Sequence, residues 1–167
     1  MEKFNGVTFF EKPEIDYEIY LDASLKGLGG VCGKEVYHAI MPPELATANI
    51  ATLEMYNILV AIRLWGRIWK HKTILFRCDN EAVVAVLNSG KTRDPDLAEI
   101  SRNIFMQCAL DDINLQIEHI PGRNNQIADL LSRWEDTSTP EAKLKNFLPD
   151  FINLPIEEHH LYINKDI

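Results

Sequence analysis

The sequence predicts an α/β fold in which a mixed five-stranded sheet is flanked by helices. Two observations carry this. Short segments with apolar residues at every second position alternate with longer segments whose apolar residues recur at helical spacing. Their order along the chain is three strands, a helix, a strand, two helices, a strand and a helix. Strands joined by tight turns pair antiparallel, whereas strands separated by a helix pair parallel through a crossover. The first three strands are therefore expected to be antiparallel, and the fourth and fifth parallel to the first.

Residues 1–16 contain Pro13 and no clear period, and read as a lead-in. Tyr17, Ile19 and Leu21 then alternate with Glu18, Tyr20 and Asp22, a strand that ends on a carboxylate. Gly27-Leu-Gly-Gly30 reads as turn chemistry. Val31-Cys32 and residues 35–39 read as two short strands around Gly33-Lys34, and Pro42-Pro43 ends that part of the sheet. The longest helix is predicted over residues 52–70, where Met55, Ile58, Ile62, Trp65 and Trp69 form an apolar face that buries Trp65 or Trp69. Residues 73–79 form a strand, again ending on an aspartate. Asn80 caps a short helix over 81–87 that Gly90 stops. Asp94 or Asp96 opens a helix to residue 110, and residues 114–120 alternate as a fifth strand. Pro121-Gly122 turns the chain, and Asn124 or Asn125 caps a last body helix ending near Arg133. Beyond it lie a helix over 140–148 and an extended tail.

The chain has 167 residues, 46% apolar and 25% charged, which suits a folded domain and not a disordered one. The expected organisation is a lead-in at 1–16, a domain at 17–134 and a C-terminal helix and tail at 135–167. No apolar run could span about 30 Å of hydrocarbon, and the N-terminus lacks the order of a signal peptide. No membrane partner is expected, and the expected location is intracellular, cytoplasmic or nuclear. Cys32, Cys78 and Cys108 are odd in number and widely spaced, which fits reduced, mostly buried thiols. The net charge is −8, and the segment after residue 133 alone holds seven acidic against three basic residues. That balance speaks against gripping nucleic acid by bulk electrostatics, unless body carboxylates hold divalent cations.

Four carboxylates stand where chemistry could use them. Asp22 and Asp79 each end a predicted strand, and adjacent parallel strands bring such ends together at the crevice where α/β folds hold ligands. Glu54 lies early in the long helix among apolar neighbours, and Asp129 one turn after Asn125 in the last body helix. Converging carboxylates repel one another, and hard divalent cations relieve that repulsion. Taken singly, each has an ordinary structural role as a turn former, dipole partner or surface residue. Their joint occurrence in this order of elements is what points to a metal centre.

The segments Ile19-Tyr-Leu-Asp22-Ala-Ser-Leu-Lys-Gly-Leu-Gly-Gly30, Thr52-Leu-Glu54-Met-Tyr56, Phe76-Arg-Cys-Asp79-Asn80 and Glu118-His119-Ile-Pro-Gly-Arg123-Asn-Asn-Gln-Ile-Ala-Asp129-Leu-Leu-Ser-Arg133 carry a resemblance. Over residues 17–134 the chain resembles a type 1 ribonuclease H domain, in the version fused to reverse transcriptases of DIRS-like retroelements. The last segment is the most specific. The resemblance implies an RNase H-like fold and Mg²⁺-dependent endonucleolytic hydrolysis of the RNA strand of RNA–DNA hybrids. It places the family's four metal-binding acids on Asp22, Glu54, Asp79 and Asp129, and the mobile-loop histidine on His119. It implies two Mg²⁺ ions, with Mn²⁺ as a substitute: Asp22 bridges both, Asp129 completes the water-activating site, and Glu54 and Asp79 hold the second ion. The implied partners are the hybrid and a polymerase domain in the same polyprotein.

Asn80 is a candidate reader of 2′-hydroxyls in the minor groove, although it also suits a helix cap. Arg123 is the single cation best placed to meet substrate. Arg63, Arg67 and Lys70 share a helix face, which suits dipole complementation as well as phosphate contact. The family's basic substrate-binding handle has no counterpart between Asp79 and His119. The competing reading is a catalytically inactive RNase H-like scaffold that docks nucleic acid or a polymerase. Retention of all four acids speaks against it.

Overall fold

The structure is a computed structural model that describes residues 13–163; the first twelve residues of the expected lead-in lie outside them. Strands β1 (Tyr17–Ala23), β2 (Gly27–Cys32) and β3 (Glu35–Ile40) run antiparallel in sequence. Helix α1 (Ile50–Trp69) crosses to β4 (Thr73–Cys78), which pairs parallel to β1. Helices α2 (Glu81–Ser89) and α3 (Pro95–Asp111) lead to β5 (Asn114–His119), parallel to β4. Helix α4 (Gln126–Ser132), helix α5 (Pro140–Phe147) and strand β6 (Ile152–Asn153) complete the chain.

The sheet order is β5-β4-β1-β2-β3-β6. The expected five strands and their directions are present, but the sheet has six strands. The sixth, β6, adds parallel to β3 at the edge. Its two residues are both exposed, so no buried face imprints an alternation on the sequence and tertiary placement alone makes it a strand. A second correction concerns Gly27–Gly30, expected as a turn and found within β2. A Cβ on Gly27 would sit 2.4 Å from the Ser132 carbonyl oxygen, and one on Gly29 would sit 2.4 Å from Leu131 Cβ. The glycines serve close approach of α4 rather than reversal of the chain.

The two sheet faces are covered differently. Ile19, Leu21, Leu28 and Phe76 face α1, whose Met55, Ile58, Ile62, Trp65 and Trp69 are buried among them. Both predicted tryptophans are thus interior, stacked on one another with ring centroids 5.3 Å apart. On the opposite face Val31, Val36, Leu131 and Leu144 form a smaller cluster beneath α4 and α5. Helix α1 starts two residues earlier than expected, because Asn49 accepts the Thr52 N–H as its N-cap.

Candidate metal centre

The pleat of β1 sets up the site. Ile19, Leu21 and Ala23 point to α1, so Asp22 points to the α4 side at the strand's end. Asp79 follows β4, the parallel neighbour of β1. Glu54 projects from the second turn of α1, and Asp129 lies in the middle of α4. All four carboxylates line one open cavity of about 500 Å³, together with Ser24, Lys26, Asn80 and Arg133.

Main-chain anchors hold the strand end in place. Asn57, wholly buried in α1, donates through Nδ2 to the carbonyls of Asp22 (2.8 Å) and Gly29 (2.9 Å). Its Oδ1 accepts the Tyr37 hydroxyl at 2.6 Å. Asn125 Nδ2 donates to the Leu21 carbonyl at 2.7 Å instead of capping α4 with its side chain. One signal for Asn57 was available in the sequence: an amide standing within the apolar run of the long helix.

Asp22 and Glu54 are buried, Asp79 is half-buried and Asp129 is exposed, and their charges repel one another. Glu54 is 3% exposed; its Oε1 accepts the Ala23 N–H at 3.1 Å, while its Oε2 has no hydrogen-bond partner. Burial, then the charge of Asp22, pushes its carboxyl far above the usual range. Asp22 is pushed up to about 6 by burial and by Asp79 and Asp129, against the hydrogen bond from Ser132 and the charge of Arg133. Asp79 is also raised, chiefly by burial. An orphaned, buried carboxylate oxygen beside other carboxylates is the donor set that hard divalent cations take. The residues therefore fit the metal that the fold family implies.

Ligand atoms of Glu54, Cys78 and Asp79 lie within 4.8 Å of one another. Cys78 does not belong with the oxygen donors. Burial and Glu54 hold its thiol protonated, and its S–H contacts the Asn80 carbonyl.

The other expected residues divide. His119 ends β5, exposed, with Nε2 3.2 Å from the Asp79 carbonyl oxygen. Asn80 borders the acids' cavity, and its Oδ1 caps α2 by accepting the Val83 N–H. Arg123 is not brought to the acids. It lines a separate cavity of about 810 Å³ with Tyr17, Tyr20, Ile127 and Phe147. Arg63 is spent within the chain, donating to the carbonyls of His160 and Tyr162. Arg133, not foreseen as a site residue, pairs with Asp129 at 2.9 Å one turn away.

Several solved structures share this architecture. RNase H1 from the halophilic archaeon Halobacterium salinarum NRC-1 aligns with a TM-score of 0.60 at 20% identity, over 72% of this chain and 98% of its own. LC11-RNase H1, solved in complex with an RNA/DNA hybrid, gives 0.60 at 20% identity, over 70% and 93%. The N-terminal RNase H domain of rv2228c from Mycobacterium tuberculosis gives 0.57 at 15% identity, over 80% and 99%. These likenesses show an RNase H-like fold. No curated protein matches the sequence. The reverse transcriptase-like family model matches residues 39–135, a span that runs from the end of β3 past α4 and carries Glu54, Asp79 and Asp129. With more than half its length within that match, the chain belongs to the reverse transcriptase-like family.

Proposed function

We propose that this chain is a ribonuclease H, a Mg²⁺-dependent endonuclease that hydrolyses the RNA strand of RNA–DNA hybrids as part of a DIRS-like retroelement reverse transcriptase. One observation carries the reading: four carboxylates from β1, α1, the end of β4 and α4 meet in one cavity, with Glu54 Oε2 buried and unpartnered. The family match and the shared RNase H-like fold support it. So does the hybrid bound to LC11-RNase H1, a protein of the same fold.

Asp22, Glu54, Asp79 and Asp129 would hold Mg²⁺, or Mn²⁺ in its place. Such ions, when bound, supply an activated water and neutralise charge at the scissile phosphate. The chain's own groups do the remaining work. Asn57 and Asn125 fix the end of β1, so the acids reach substrate already oriented. His119, exposed at the end of β5, carries protons or eases product departure. Asn80 keeps Nδ2 for a 2′-hydroxyl while Oδ1 caps α2. Arg123 meets the hybrid backbone from the adjoining cavity. A polymerase domain in the same polyprotein is the proposed partner, raising the local concentration of hybrid.

The test is incubation of the full chain with end-labelled RNA–DNA hybrid, single-stranded RNA and duplex DNA, with and without Mg²⁺. Cleavage of the RNA strand in the hybrid alone, dependent on Mg²⁺ or Mn²⁺, is expected. A folded chain that leaves hybrid intact with either ion overturns the reading in favour of an inactive docking module.

A further inference from the structure

We infer that Ser132 is a positioning residue for Asp22: its hydroxyl, delivered from α4, fixes one carboxylate oxygen and leaves the other for the cavity that Asp22 lines. The assignment rests on the metal-site reading above.

Ser132 is 2% exposed and reaches across from α4 to β1, placing Oγ 2.5 Å from Asp22 Oδ2. Of the two groups the hydroxyl is the donor and the carboxylate oxygen the acceptor. The same Oγ lies 2.9 Å from the Asp129 carbonyl oxygen one turn back. A serine has one proton to donate, and the carboxylate is the nearer acceptor. A serine that only satisfied its own helix would stop at that carbonyl.

The seat of Ser132 is built from both sides. Ser24 Oγ donates to the Ser132 carbonyl at 2.9 Å and accepts the Gly27 N–H at 3.0 Å. Gly27 and Gly29 leave the space into which Leu131 and Ser132 settle. Asp22 pairs directly opposite Gly29 in the sheet, so the helix end lands beside the carboxylate. Asn57 and Asn125 pin the main chain of β1, which leaves the carboxylate rotation as the freedom still to be fixed. Ser132 fixes it. Because Asp129 lies three residues earlier on the same helix, one element presents an acid and orients another.

Groups that orient a metal ligand typically change metal affinity or activity by roughly 10–100-fold when removed. The experiment compares the full-length parent with Ser132→Ala and Ser132→Thr. Mg²⁺ affinity is read by calorimetry, Mg²⁺-free melting by circular dichroism, and hybrid cleavage by steady-state kinetics. For Ser132→Ala we expect Mg²⁺ affinity and kcat each lowered by about tenfold or more, an unchanged KM for hybrid, and Mg²⁺-free melting close to the parent's. Ser132→Thr, which keeps the hydroxyl, restores both. If Ser132→Ala does not fold, Ser132→Cys takes its place, keeping the volume with only a weak donor. Parental Mg²⁺ affinity in Ser132→Ala overturns the assignment. So does a folded Ser132→Thr as impaired as the alanine variant, since packing would then be the cause. A parent that binds Mg²⁺ but leaves hybrid intact refutes the ribonuclease reading, while the Mg²⁺ affinities still decide the role of Ser132. A parent that binds no Mg²⁺ overturns both.

Discussion

At the scale of single residues, Asp22 and Glu54 are held where burial and like charge make their ionised forms cost the fold energy. Both carboxyls titrate above their ordinary values, Asp22 at about 6 and Glu54 at about 9. The folded chain therefore binds more protons than the unfolded one across that range, and stability falls as pH rises through those values. Melting in EDTA is expected to shift down between pH 5 and pH 8, and saturating Mg²⁺ to restore about 1–3 kcal/mol at the upper end. A Mg²⁺-free midpoint that climbs with pH would contradict this. Asp22→Asn removes one repelling charge and keeps the shape. Hybrid cleavage should then vanish, while Mg²⁺-free melting stays equal or rises. A large stability loss in that variant would make Asp22 structural instead. His119→Ala should only slow turnover, because the imidazole holds no metal in this scheme.

At the scale of elements, the docking of α4 on β2 decides where Asp129 and Ser132 stand. Gly29→Ala would drive a methyl to 2.4 Å from Leu131 Cβ and 2.8 Å from the Leu131 carbonyl carbon. Backbone cannot yield as a flexible side chain can, so a loss of about 1–3 kcal/mol is expected in denaturant titrations. Activity should fall further than stability, since α4 carries an acid of the site. The C-terminal tail is anchored by other means. Arg63 donates to the carbonyls of His160 and Tyr162, and the Tyr56 hydroxyl donates to the Leu161 carbonyl at 2.8 Å. Arg63→Ala should speed hydrogen exchange at His160 and Leu161 while β1 and β4 keep their protection. Unchanged exchange in the tail would show that Leu154 and Ile156, half-buried against the main core, suffice to hold it.

For the whole molecule, charge opposes the proposed substrate. The net charge of −8 would face a polyanion, and Arg63 and Arg77 are engaged with tail carbonyls or with Glu18 and Glu118. Among the described residues no helix is long and apolar enough to cross a membrane. Hybrid binding by the chain alone is expected to be weak and to fall steeply with salt, as counterion release requires. Anisotropy of a labelled hybrid over a KCl series checks this, and tight, salt-insensitive binding would refute it. A fused polymerase would supply grip through effective concentration.

Local chemistry made the helices and most strands legible, because a buried face imprints its period on the sequence: Met55 to Trp69 on α1, Ile74 and Phe76 on β4. The acids were legible as residue types at strand ends and early helix turns. Their convergence in one cavity is a property of the crossover from β1 to β4 and of how α4 settles. What the sequence could not express were contacts whose partners lie far along the chain. Gly27 and Gly29 look like a turn until α4 is seen resting on them. Ser132 looks like a helix terminus until its hydroxyl meets Asp22, 110 residues earlier. Arg123 reads as a neighbour of the acids along the sequence, and the structure places it on a different cavity from theirs. Strand β6 has no buried face to write a pattern, so only the open edge of β3 defines it. Periodicity records which side of an element is dry; it does not record which distant element keeps it so.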